Sequence, residues 1–223
     1  MKVQARRTLV FLIVSAFAVS AASAQIDSAR YQVPFAIKWN PTTLLDPANP
    51  AFAAGAEFRL NETMCLYTEL SYISNGISIY GRSTGIRISG FKAALDYRYI
   101  FSRDYYDGER FFFGINVFYK SSTANKEVDF QRFGGLYSEL IDVDIKRRII
   151  GGHFLLGVEV FMPEERWRIE GYGGIGLRHK NIEKTNIPED AEEVAPNIFF
   201  SDMMDGVTIP SILLGFRVGF VLK

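Results

Sequence analysis

The stretch Ile209-Pro210-Ser211-Ile212-Leu213-Leu214-Gly215-Phe216-Arg217-Val218-Gly219-Phe220-Val221-Leu222-Lys223 decides the fold. Leu214, Phe216, Val218, Phe220 and Leu222 share one parity, and Gly215, Arg217 and Gly219 share the other. That is the period of two expected of a strand with unlike faces. One face is bulky and apolar, and the other is small or charged. The strand is expected to close a sheet against the first strand of the chain.

The same alternation recurs upstream. Phe35, Ile37 and Trp39 alternate with Ala36, Lys38 and Asn40. Phe52, Ala54, Ala56, Phe58 and Leu60 oppose Ala53, Gly55, Glu57 and Arg59, and Leu66, Thr68, Leu70 and Tyr72 oppose Cys65, Tyr67, Glu69 and Ser71. Phe91, Ala93, Leu95, Tyr97 and Tyr99 face away from Gly90, Lys92, Ala94, Asp96 and Arg98. Three more candidates run from Phe111 to Lys120, from Ile150 to Val160 and from Trp167 to Arg178. This predicts about eight strands near the ~9 to 11 residues that a tilted membrane strand requires. Turns after the second, fourth and sixth strands are short, while Ser74 to Gly85, Ser121 to Asp142 and Asn181 to Val207 read as long loops. Short turns on one side and long loops on the other are expected of a barrel with periplasmic and external ends, both termini being periplasmic. No amphipathic helix separates the strands, which excludes an α/β fold.

Alternation alone does not say which face meets lipid. An eight-stranded ring is barely wide enough for its own side chains, and Gly55, Gly90, Gly114, Gly151, Gly157, Gly174, Gly176, Gly215 and Gly219 lie on the less apolar face. That face is therefore expected inside. It carries Lys38, Glu57, Arg59, Glu69, Lys92, Asp96, Arg98, Glu159, Arg168, Glu170, Arg178 and Arg217, an expected interior network of paired charges that plugs the lumen. Trp39, Tyr97, Tyr99, Tyr119 and Trp167 are expected to mark the membrane interfaces.

At the other end, Lys2, Arg6 and Arg7 precede an apolar run from Leu9 to Val19 and the small residues Ala22-Ser23-Ala24. This is the pattern of a cleaved signal peptide over 1–24, with the barrel spanning 25–223. The run is too short for a membrane helix. Removing the leader leaves 22 basic against 25 acidic residues, a balance that gives no reason to expect a nucleic-acid partner. The single cysteine, Cys65, excludes an intrachain disulfide.

These features resemble small outer-membrane β-barrel proteins of the Bacteroidota, a family largely of unknown function, and more distantly OmpA and OmpX type barrels. The resemblance rests on Ile37-Lys38-Trp39-Asn40-Pro41, Gly55-Ala56-Glu57-Phe58-Arg59-Leu60, Glu170-Gly171-Tyr172-Gly173-Gly174-Ile175-Gly176 and the terminal strand. It implies an outer-membrane location, contact with outer-membrane lipid, and insertion by the barrel-assembly machinery. That machinery reads a terminal strand in which Gly215, Val218 and Phe220 fill the expected places. The chain departs from the pattern in ending Val221-Leu222-Lys223 instead of on an aromatic residue.

Chemistry has few candidates. His153 shares the inward parity, where a satisfied core histidine is expected, and His179 lies near the outer end of its strand without a neighbouring serine motif. Glu189, Asp190, Glu192 and Glu193 lack the spacing of a calcium loop. No catalytic residue, cofactor or metal is expected. Phe199, Phe200, Met203 and Met204 are apolar residues in the last long loop and mark an expected contact with a protein or glycan partner. The expected role is structural or interactive at the cell envelope. Two alternatives stand beside it: a barrel enzyme modifying lipid A, and a soluble periplasmic barrel holding a hydrophobic ligand.

Overall fold

The computed structural model describes residues 35–46, 49–61, 63–74, 87–104, 109–133, 136–162, 166–186, 191–193 and 205–222. The leader therefore lies outside the described residues, as do Phe199, Phe200, Met203 and Met204. The described chain is all-β. It forms one antiparallel sheet of nine strands: β1 (Phe35–Trp39), β2 (Ala51–Arg59), β3 (Met64–Ser74), β4 (Arg87–Asp104), β5 (Glu109–Arg132), β6 (Tyr137–Phe161), β7 (Trp167–Thr185), β8 (Ala191–Glu193) and β9 (Val207–Leu222). A 3-10 turn, Pro41–Leu45, joins β1 to β2.

Eight of these strands close into a ring. The order runs β4-β3-β2-β1-β9-β7-β6-β5, and β5 pairs back onto β4. The terminal strand pairs with the first, Phe35 standing opposite Leu222 and Trp39 opposite Val218. Following the register from Thr208 through His179, Ile150, Tyr119, Ala93, Leu70, Ala54 and Trp39 returns to β9 at Val218, ten residues further on. A stagger of ten over eight strands tilts them by about 40° from the ring axis. β8 is the ninth strand and stands outside the ring, pairing with Phe130–Arg132 on β5 beyond the point where β4 begins.

One expectation is corrected here. Ser121 to Asp142 is not a long loop: β5 and β6 continue as one hairpin of 24 and 25 residues, with Arg132 paired to Tyr137 at its tip. The strands were expected to stop near ten residues because the apolar parity stops at Tyr119. Past that point the outward residues are Thr123, Glu127 and Gln131, all exposed and polar. The overlooked signal was Gly134-Gly135, a hairpin-turn dipeptide between two alternating runs. β7 likewise extends to Thr185, so Asn181 to Val207 is partly strand.

The inward glycines make room for rings. A Cβ on Gly55 would stand 2.5 Å from the Tyr67 hydroxyl, and one on Gly157 would stand 2.3 Å from Phe112. Small positions on one strand thus receive large side chains from its neighbour, which is how a narrow ring fills its interior.

Candidate functional site

The interior of the ring is a charged core. Lys38, Arg98, Arg110, Arg168 and Arg217 are buried with Glu57, Glu69, Asp96, Glu159 and Glu170, so cations and anions balance. Each reaches the centre because the strand period turns alternate residues inward. Lys38 of β1 is the hub. Its Nζ donates to Glu57 Oε2 at 2.5 Å, Glu170 Oε2 at 2.5 Å and Glu159 Oε1 at 2.8 Å, drawing β2, β7 and β6 together. Oxygens of these three carboxylates lie within 4.8 Å of one another, the spacing of a metal site. The ammonium occupies the place a metal cation would take.

Arginines bridge the remaining carboxylates. Arg98 donates to Asp96 Oδ2 at 2.5 Å and Glu170 Oε2 at 2.8 Å. Arg217 reaches Glu170 Oε1 at 2.8 Å, Asp96 Oδ2 at 3.0 Å and Glu69 Oε2 at 3.2 Å, tying β9 to β7, β4 and β3. Arg110 pairs with Glu57 at 2.6 Å and also with Glu159, while Arg168 lies 3.4 Å from Glu57. The guanidinium carbon of Arg217 lies 4.2 Å from the Tyr67 ring centre and 4.0 Å from that of Tyr172, and Arg98 covers the other side of the network at 4.8 Å from both Tyr67 and Phe112. Cation–π contacts of this desolvated kind contribute on the order of 2 kcal/mol each.

Polar neighbours extend the network upward. Asn40 donates to Glu69 Oε2 and to the Tyr172 hydroxyl, both at 3.0 Å. Asn116 Nδ2 donates to Asp96 Oδ1 at 2.6 Å, and Asn116 Oδ1 lies 3.1 Å from His153 Nδ1. Because a carboxylate can only accept, this chain sets the proton on His153 Nδ1 and leaves Nε2, 3.0 Å from Ser211 Oγ, as an acceptor. His153 is 5% exposed and stacks on Phe118 with ring centres 5.3 Å apart. It is a satisfied interior histidine. His179, by contrast, lies on the outer face with Nδ1 3.2 Å from Thr208 Oγ1.

Of the twelve residues expected inside, Lys38, Glu57, Glu69, Asp96, Arg98, Glu159, Arg168, Glu170 and Arg217 meet in this one cluster. Lys92 stands at its upper edge, 3.7 Å from Glu69. Arg59 sits half-buried at the end of β2 and donates to the Asn61 carbonyl, and Arg178 is half-buried above the cluster, so neither joins the central pairs. Arg110 was missed because the strand expected from Phe111 begins at Glu109. Its parity with Phe112 and Gly114 was the available signal. Glu192 and Glu193 fall on β8, and Glu189 and Asp190 lie outside the described residues.

Outside the ring the polarity is reversed. Phe111, Phe113, Ile115, Val117 and Tyr119 are all exposed along β5, as are Phe154, Leu156, Trp167, Ile169, Ile175, Ile212 and Leu214 on the strands that follow around the ring. Rings pair across strands near one edge: Phe35 with Phe58 at 5.0 Å, Tyr99 with Phe113 at 5.3 Å, and Trp167 with Phe220 at 5.1 Å. The arrangement is an all-β ring with a charged, neutralised centre and an apolar exterior. No protein-family model and no curated protein sequence matches the chain.

Proposed function

We propose that the chain is an outer-membrane β-barrel, formed by residues 25–223 after loss of a 1–24 signal peptide, with a plugged, salt-bridged lumen. Its role is envelope-structural or surface-interactive, and it is not an enzyme. The observation that carries this reading lies on β6. Its outward residues Asp142, Lys146 and Arg148 are exposed and charged, and on the same face, from Ile150 on, Phe154, Leu156 and Val160 are exposed and apolar. Its inward residues change from Val143, Ile145 and Ile149, with half-buried Arg147 among them, to a mixed set in which His153 and Glu159 are buried beside Leu155. Water outside one half of a strand and hydrocarbon outside the other half account for both changes at one point.

Neighbouring strands agree on the position. On β7 the outward series Trp167, Ile169, Ile175, Leu177 turns to His179, Asn181 and Glu183, and on β5 it turns after Tyr119. Phe111 to Tyr119 and Trp167 to Leu177 are the ~9 to 11 residues a tilted strand needs to cross. In this reading the short turns and both mature termini face the periplasm, outer-membrane lipid surrounds the apolar band, and the barrel-assembly machinery inserts the chain. The outer ends of β5 and β6 stand beyond the bilayer. Their tip exposes Phe133, Leu136, Tyr137 and Leu140, a patch suited to a protein or glycan partner.

The test is gel mobility of the protein from an outer-membrane fraction, with and without heating in detergent. A heat-dependent shift with membrane retention is expected. Release as a soluble protein without a shift would favour the soluble ligand-binding barrel instead. The plugged lumen predicts no porin-sized currents in a planar bilayer. The non-enzymatic reading predicts an unchanged lipid A mass spectrum in a deletion strain.

A further inference from the structure

Above the charged plug the inward face carries two lysines side by side on neighbouring strands. Ser71, Lys92 and Lys120 are successive cross-strand partners on β3, β4 and β5. Like charges directly opposite each other destabilise a sheet. The carboxylate paired with Lys92 is Glu69 at 3.7 Å, and that group already accepts from Arg217, Asn40 and Tyr67. Lys120 makes no ion pair or hydrogen bond among the described residues. The charges that act on it are the Asp46 carboxylate and, opposing it, the cations Lys92, Arg147 and Arg178. Ser71 is 5% exposed, and its hydroxyl has no hydrogen-bond partner among the described residues.

These groups line one cleft of about 80 Å³, together with Thr43, Asp46 and Asn49, where the 3-10 turn and the ends of β2 and β3 meet. A water needs roughly 10–15 Å³ of such space, so the cleft holds several waters or one compact anion. Asn49 Oδ1 is a second buried atom without a partner among the described residues, and it is an acceptor. A ligand that satisfies the cleft therefore brings negative oxygens for two lysines and the Ser71 hydroxyl, and an O–H for Asn49 Oδ1.

We propose that this cleft binds a small oxyanion that also carries an O–H, hydrogen phosphate or a hydroxy-carboxylate in type, borne by a water-soluble molecule entering from the loop end of the ring. Binding offsets the Lys92–Lys120 repulsion and satisfies two buried polar atoms at once. The site depends on the interior geometry and not on which medium surrounds the ring, so it stands or falls separately from the membrane reading.

The test uses the full mature chain folded in detergent. Thermal unfolding and calorimetry are followed as inorganic phosphate replaces chloride at constant ionic strength. Saturable stabilisation by phosphate is expected. Lys120→Gln should melt higher than the parent without phosphate, because a repulsion is gone, and should lose at least tenfold in phosphate affinity. Lys120→Arg should retain binding, Ser71→Ala should weaken it several-fold, and Arg148→Gln on the outer face should match the parent. Phosphate acting no differently from chloride would overturn the proposal, as would Lys120→Gln binding like the parent. So would an effect seen with phosphatidylglycerol in bilayers but not with inorganic phosphate, since that would make a lipid headgroup the ligand.

Discussion

The ring and the sheet that extends beyond it are built from the same strands with different interiors, one charged at its centre and one apolar. Inside the ring the core is Lys38, Arg98, Arg217 and their carboxylates, with a smaller apolar cluster of Cys65, Ile100, Phe112, Leu155 and Tyr172 beside them. Beyond it, Ala124, Phe130, Val143, Ile145 and Ile182 form a buried apolar cluster with Ile88 and Ile141 against it. β5, β6 and β7 each contribute to both. On the membrane reading proposed above, a strand's parity fixes which residues point inward, while the surrounding medium favours the chemistry those residues have. On that reading, hydrocarbon outside the ring gives hydrophobic burial little drive to fill it with apolar groups alone, so paired charges and rings hold the strands together. Where the exterior is water, an ordinary apolar core does so.

The largest expected effect breaks the charged side of this comparison. Lys38→Met leaves Glu57, Glu159 and Glu170 without their shared cation, and loss of one member of a buried ionic set costs about 3–5 kcal/mol. Denaturant unfolding of the protein refolded in lipid should show that loss in the global transition. Replacement by a neutral residue without destabilisation would mean the network does not hold the ring.

Phe130→Ala addresses the apolar side. Truncating a buried phenylalanine costs about 3–5 kcal/mol, yet here the loss should stay local. Amide exchange should accelerate over the outer halves of β5 and β6 and over β8, while the ring keeps its protection and its heat-dependent mobility. Global unfolding at lower denaturant would show instead that the two cores form one cooperative unit.

A smaller pair of changes sharpens the boundary between them. Phe154→Arg and Arg148→Gln alter residues six apart on the same face of β6. Arginine at position 154 should cost about 2–4 kcal/mol in a bilayer, whereas the exposed Arg148, paired with Glu183 at 3.1 Å, should change stability by no more than about 0.5 kcal/mol. Equal effects would remove the argument for a membrane edge near Ile150.

Much of this was legible in the chain itself. The alternation in Leu214 to Leu222 identifies a strand, its unlike faces identify two environments, and the inward glycines identify the crowded one. Nine of the twelve expected interior charges could be assigned one at a time because parity is a local property of extended backbone. The outer hairpin was not legible by the same rule. Its alternation continues in register, but with the polar residues outward, so a search for outward grease ended at Tyr119.

What the sequence by itself determined is the set of strands, the side each residue takes and the balance of charge, since these follow from periodicity along the chain. What only the tertiary structure decided is which charges meet. Lys38, Glu159 and Glu170 are more than a hundred residues apart in places, and they converge because a stagger of ten brings β1, β6 and β7 to one level inside a closed ring. The same closure places Lys92 opposite Lys120 beside a buried hydroxyl. Register between strands depends on the sum of all their pairings, and no single strand carries that information.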